Sequence, residues 1–341
     1  MAAAAHARRL DFPGGLVAPV VTSHRHDQDP LAVLILGPTG SGKTALSLAL
    51  GEQFDGEIIS CDSVAVYRGL DLGSAKPSRE EQARLPHHLI DVADPDQIFT
   101  AGDYSRLARA ALRDIAGRNH LPIVTGGTGL YLRALTEGLH AVPIRQEQTR
   151  DALIKGHEKH GPGWLHGLLS ELDPESAQRI HANDIPKLIR ALEILYATGQ
   201  PLSVVFAVPK DPLTGFRLLR IGLNPPRPAL YDRLNQRAAA MFAHGLVDES
   251  RSLLQRFGRV PSLESLGYRQ ALAVLDGTMS EAEAIAAAQQ GHRNYAKRQL
   301  TWFRREPDVH WIEDFGDSWQ AICKAQALLQ THITQPLSNL Q

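Results

Sequence analysis

The stretch from Leu31 to Leu36 is apolar at every position and stops at Gly37, which predicts a short buried strand. In the "ALSLALGEQF" that follows, Leu46, Ala49 and Leu50 fall at helical spacing. Residues 57–60 predict a second strand. In "TAGDYSRLARAALRDIAGRNH", Tyr104, Leu107, Ala108, Ala111, Leu112 and Ile115 make one apolar face. Thr100 and Asp103 stand at the spacing of a capping box, and Gly117 is placed to end that helix. "LPIVTGG" predicts another buried strand. Strand–helix–strand alternation of this kind predicts a parallel sheet with crossover helices.

The pattern changes at about residue 146. Residues 146–200 carry helical periodicity and no convincing strand, "FRLLRIGLN" at 216–224 returns to the sheet, and a helical remainder begins at "RPALYDRLNQRAAAMFAHGL". The expected organisation is an α/β core over 31–145 and 201–330, a helical insertion lobe over 146–200, and a flexible leader over 1–30. The last long helix starts at a capping box formed by Ser280 and Glu283, ends near Arg304 and Arg305, and is stopped by Pro307, with Gly291 a candidate kink. Ala296, Leu300 and Phe303 share one face of it; Arg293, Lys297 and Arg305 form a basic stripe flanked by Arg298 and Arg304. Such a stripe beside aromatics suits a phosphate backbone, and suits a solvated helix face equally well.

Composition narrows the partners. The 36 Lys and Arg balance 37 Asp and Glu, for a net charge of -1, so any nucleic-acid surface must be a local patch. Two cysteines, Cys61 and Cys323, make neither a disulfide framework nor a zinc pattern and point to a reducing cytoplasm. No apolar run approaches the roughly 20 residues that span a bilayer, and the leader has no sustained apolar segment of the signal-peptide kind.

The chemistry is announced between the first strand and its helix. Gly37-Pro38-Thr39-Gly40-Ser41-Gly42-Lys43-Thr44 matches G-x-x-x-x-G-K-[ST] throughout. Glycines let successive backbone N–H groups curl around phosphate oxygens, and the helix N-terminus adds its positive end. Lys43 supplies a point charge, and the Thr44 hydroxyl is placed to ligate Mg²⁺. The motif identifies a phosphate site and leaves the reaction open; a small-molecule kinase or NTPase would bind ATP with the same loop.

Further segments bear on that choice. "DSVAVYRGLDLGSAKP", "HHLIDVADP", "PIVTGGTGLYLRAL", "DPESAQRIHANDIPKLIRALEILYATGQPLS" and "YAKRQLTWFRR" occur in that order, and with the loop they resemble the tRNA dimethylallyltransferase family from about Leu31 to Arg305. Members transfer an isopentenyl-type group to the adenosine just 3′ of the anticodon. The resemblance implies a P-loop NTPase-like parallel sheet flanked by helices, whose loop Gly37–Thr44 holds the diphosphate of dimethylallyl diphosphate with Mg²⁺ at Thr44. ATP, with similar phosphates, is expected to occupy the loop weakly. Arg237 matches a family arginine at the diphosphate, and Asp62 the aspartate that orients the adenine amine and takes its proton. RNA contacts are implied for Asp62, Ser63, Val64 and Ala65; for Thr128 and Arg150; for Pro186, Lys187, Leu188, Ile189 and Arg190; and for Lys297, Arg298, Gln299, Leu300, Thr301, Trp302, Phe303 and Arg304. Ala65 departs from the amide or larger side chain often found there, and Gly40 and Cys61 replace alanines. The partners implied are the tRNA anticodon stem-loop and dimethylallyl diphosphate, acted on by a cytoplasmic monomer.

Overall fold

The computed structural model describes residues 29–140, 142–143 and 146–334; apart from Asp29 and Pro30, the leader expected over 1–30 lies outside the described residues. The chain packs as two units, one holding the residues up to Leu135 and from Thr214 on, the other Thr136–Leu213.

The first unit is built on six strands: β1 (Leu31–Leu36), β2 (Gly56–Cys61), β3 (His87–His88), β4 (Leu121–Gly126), β5 (Arg217–Leu223) and β6 (Val309–Ile312). They form one sheet in the order β3-β2-β4-β1-β5-β6 with every pairing parallel. β1 is central and buried along its whole length, which is why its sequence does not alternate. Leu31, Val33 and Ile35 pack in one core with Leu46 and Leu50 of the helix Lys43–Phe54 and with Ala321, Ala325 and Leu329 of the helix Trp319–Thr334. The two edge strands and this final helix were not visible in the sequence pattern. β3 has two residues and β6 alternates Val309 and Trp311 with an exposed His310, so neither offers a sustained apolar run.

The helix Ala101–Gly117 begins at a capping box formed by Thr100 and Asp103, and buries Tyr104, Ala108, Leu112 and Ile115. Its face is rotated slightly from the expected one. Ser105 is buried, donating to Ala134 O at 2.7 Å, while Leu107 and Ala111 are only part-buried. The C-terminal helix Glu281–Phe303 likewise starts at its capping box, and it runs unbroken through Gly291. A Cβ there would meet only the end of the Leu266 side chain, which can shift.

The second unit contains the helices Glu147–His160, Trp164–Leu172, Pro174–Arg179, Ile185–Thr198 and Leu202–Ala207 around Leu153, Leu165, Leu169, Leu188, Ile189 and Leu192. It is wider than 146–200 because its two connecting segments hold each other: Leu213 N donates to Thr136 O at 2.9 Å, and Lys210 Nζ lies 2.9 Å from Glu137 Oε2. Among the described residues, no helix is long and apolar enough to cross a membrane.

Candidate active site

The site lies where parallel sheets place ligands, beyond the C-terminal ends of the strands. β1 runs into Gly37, β2 into Asp62 and β4 into Gly127, and side chains from all three segments line one cavity of about 680 Å³.

The phosphate loop is held from behind. Gly42 has φ +88°, and a Cβ on it would stand 2.7 Å from Gly316 N, so glycine is required by both conformation and space. Gly316 N donates to Ser41 O at 2.8 Å, which fastens the 316–317 turn to the loop. Arg233 grips Asp317 through two bonds of 3.0 Å and lies 4.0 Å above the Phe315 ring. Lys43 Nζ donates to Gly37 O at 2.9 Å and Pro38 O at 2.8 Å. An ammonium carries three N–H donors, so one remains for a phosphate oxygen. Arg237 Nη1 lies 3.3 Å from Thr39 Oγ1, which brings the second expected cation to the loop.

Gln299 ties this loop to the end of β4. Thr39 N donates to its Oε1 at 2.8 Å, and its Nε2 donates to Gly127 O at 2.8 Å. Asp62 lines the same cavity from a tight turn, where Oδ1 accepts from Val64 N at 2.8 Å and Ala65 N at 3.1 Å. Oδ1 thus closes the turn, and Oδ2 has no hydrogen-bond partner among the described residues. Thr128 Oγ1 accepts from Ser63 N at 3.0 Å and so holds the next residue of the same turn.

Burial shifts the charges. Desolvation pushes the Lys43 ammonium down to about 8, with Arg237 adding to the effect and Asp62 opposing it. In the free protein the ammonium is therefore present below about pH 8 and lost above it. A bound anion favours the charged form and moves the loss to higher pH. kcat/KM for an anionic donor, which reports the free enzyme, is thus expected to fall on the alkaline side with an apparent pKa near 8, while kcat holds to higher pH. Initial rates at saturating acceptor and constant free Mg²⁺ test this; a kcat/KM that stays flat through that range contradicts it. The Cys61 thiol is buried and pushed up to about 12, so it has no nucleophile's role beside Asp62.

The basic helix separates into an inward and an outward face. Lys297, Arg298, Thr301 and Arg304 are exposed, whereas Gln299 and Phe303 are 5 % and 1 % exposed. Gln299 lines the cavity with its amide bonded to Thr39 and Gly127, while Phe303 is packed in the interior. Leu300 and Trp302 are part-buried, and Arg133 stacks on the Trp302 ring at 4.4 Å. Trp302, Arg298, Lys297, Thr301 and Arg305 line an open groove of about 340 Å³ on this helix. Ala65 is 4 % exposed and lines the cavity together with Asp62, Ser63 and Val64.

The remaining expected contacts belong to the second unit. Leu188 and Ile189 are core residues at 0 % and 2 % exposure, which removes them as side-chain contacts, because helical periodicity turns them inward beside outward Lys187. Pro186 occupies the first turn of Ile185–Thr198, Lys187 pairs with Asp184, and Arg190 Nη2 donates to Pro143 O at 2.8 Å. Arg150 lies 3.5 Å from the buried carboxylate of Glu193.

Tyr295, His292 and the Arg233–Asp317 pair also line the cavity and were not expected from the sequence. The helical spacing of His292, Tyr295 and Gln299 could have disclosed the inward stripe. Nothing local marks Asp317, which reaches the loop only through folding.

The comparisons agree over most of the chain. The family model described as IPP transferase matches residues 65–306. A tRNA dimethylallyltransferase of Koribacter versatilis is 57% identical over 304 residues, covering 89% of this chain and 99% of the relative. One from Solibacter usitatus is 50% identical over 288 residues, with 84% and 94% covered. Among solved structures, the tRNA isopentenylpyrophosphate transferase of Bacillus halodurans is 38% identical with a TM-score of 0.66, over 90% of this chain and 97% of that one. A eukaryotic dimethylallyltransferase acting on tRNA gives 0.76 at 26% identity, over 91% and 81%.

Proposed function

The chain belongs to the IPP transferase family of tRNA dimethylallyltransferases, and on that premise we propose that it moves the dimethylallyl group of dimethylallyl diphosphate to N6 of the adenosine 3′-adjacent to the anticodon. The observation that carries this reading is the shared cavity, lined both by a phosphate loop with two cations and by a carboxylate with a free oxygen. A kinase can also set a carboxylate base beside its phosphate loop, so it is the family membership that favours prenyl over phosphoryl transfer here.

The chemistry follows from charge. The amine nitrogen attacks the allylic carbon, the carbon–oxygen bond breaks, and its electron pair leaves on the diphosphate. Lys43, the loop N–H groups and Arg237 are the donors that stabilise this growing negative charge. The amine proton goes to Oδ2 of Asp62, while Oδ1, tied to two backbone N–H groups, keeps the carboxylate aimed. The Thr44 hydroxyl, a hard oxygen donor lining the cavity without a hydrogen-bond partner among the described residues, suits Mg²⁺. Bound there, Mg²⁺ would neutralise diphosphate oxygens. The base must leave the anticodon-loop stack to enter such a cavity. The reading needs one chain, a monomer, in the cytoplasm where tRNA is found.

Purified protein with Mg²⁺, an anticodon stem-loop and either dimethylallyl diphosphate or ATP tests it. Nucleoside mass and released phosphate are measured. A prenyl mass shift with no ADP supports the transferase; RNA-independent ATP hydrolysis without prenylated adenosine promotes the kinase reading.

The acceptor side is tested separately. Arg298 is exposed and has no ion pair among the described residues, so Arg298→Ala is expected to weaken tRNA binding and flatten its log–log salt slope by about one unit. Lys187→Ala should change the slope by less, since Asp184 already offsets that charge. Donor affinity should hold in Lys187→Ala, whereas Arg298 also lines the cavity that contains the phosphate loop. A salt slope unchanged in Arg298→Ala would return the helix to an ordinary solvated face.

A further inference from the structure

Among the residues that line the cavity, Nε2 of His292, Nε of Arg237 and Nε2 of His87 are sealed from solvent without a hydrogen-bond partner among the described residues, and the first two belong to side chains that interact electrostatically. His292 is 7 % exposed and lines the cavity from the inward stripe of Glu281–Phe303, one turn before Tyr295 and two before Gln299. A polar atom buried without a partner is destabilising, and such groups in native proteins call for an explanation. Arg237 is anchored at the phosphate loop by its Nη1 bond to Thr39, where its guanidinium serves the diphosphate. His292 has no such explanation in the folding of the chain.

We propose that His292 is a ligand of the donor's diphosphate, presenting a ring N–H to a phosphate oxygen at the end of the cavity that Arg237 serves. This rests on the donor being a prenyl diphosphate. Burial, with the charge of Arg237, holds the imidazole down at about 4, so the free protein carries it neutral. Neutrality fits the surroundings. The charged groups that share the cavity without an ion pair are Lys43, Asp62, Arg237, Arg269 and Arg298. Arg233 pairs with Asp317, Lys76 with Asp71 and Asp91, and Glu81 caps its helix at Ser78. A neutral ring adds a donor to this cluster without a further positive charge to repel its neighbours. Once a multiply charged diphosphate lies against it, the balance reverses and the imidazolium is favoured. Donor binding then takes up a proton at His292.

Inorganic pyrophosphate with Mg²⁺ is the probe, titrated calorimetrically at mildly acidic pH in two buffers of different ionisation enthalpy. The wild-type protein is compared with His292→Phe and with the hydrogen-bonding His292→Gln. His292→Phe is expected to bind pyrophosphate about 10- to 100-fold more weakly. His292→Gln should recover much of that affinity through its amide, and in both variants the buffer-dependent heat should shrink while stem-loop affinity holds. Unchanged pyrophosphate affinity in His292→Phe, or undiminished proton uptake in the well-folded His292→Gln, overturns the assignment. A wild-type protein that fails to bind pyrophosphate overturns both the assignment and the prenyl-donor reading beneath it, an outcome distinct from the other two.

Discussion

Lys43→Ala is expected to abolish transfer while leaving RNA affinity nearly intact. The substitution removes the ammonium that spans Gly37 O and Pro38 O and with it the remaining N–H available to the leaving diphosphate. A single preorganised donor at a developing charge is worth about 10²–10³-fold in rate. A full positive charge in a desolvated loop belongs at or above the top of that range. The exposed cations of the C-terminal helix, Lys297, Arg298 and Arg304, are separate from the loop's own bonds, so stem-loop binding should persist. Single-turnover rates measure the first quantity and gel shift the second. A parallel loss in both would contradict this division between donor and acceptor groups.

The second large effect belongs to Asp62→Asn. The amide keeps an oxygen for Val64 N and Ala65 N, so the turn and the fold should survive, but its nitrogen cannot accept the adenine proton. Loss of a general base removes about 10²–10⁴-fold in rate. The single-turnover rate is therefore expected to fall by that factor with little change in the affinity of either substrate. Asp62→Ala should add a structural penalty of about 1 kcal/mol, in the range of a lost cap, visible as a lower unfolding midpoint that Asp62→Asn does not share. A chemical rate in Asp62→Asn within a few-fold of the parent would leave Asp62 only the task of shaping the turn.

The sequence by itself determined the phosphate loop, the central strands and the capped helices. The reason is locality: a P-loop is a backbone conformation written in closely spaced glycines, a buried parallel strand is an uninterrupted apolar run, and a capping box needs only residues three apart. Thr100 with Asp103 and Ser280 with Glu283 close as their spacing demands. The family motifs added which reaction the loop serves, which no local rule contains. Only the tertiary structure decided which members of those motifs face outward. Leu188, Ile189 and Phe303 stand beside basic residues in the chain, yet packing turns them into cores. Gln299 lies 260 residues from Thr39 and becomes its hydrogen-bond partner. Asp317 reaches Arg233 across 84 residues, and His292 is enclosed beside Arg237, again through contacts between distant parts of the chain. Side-chain direction on a helix is fixed by what the helix packs against, and that partner is supplied by distant chain.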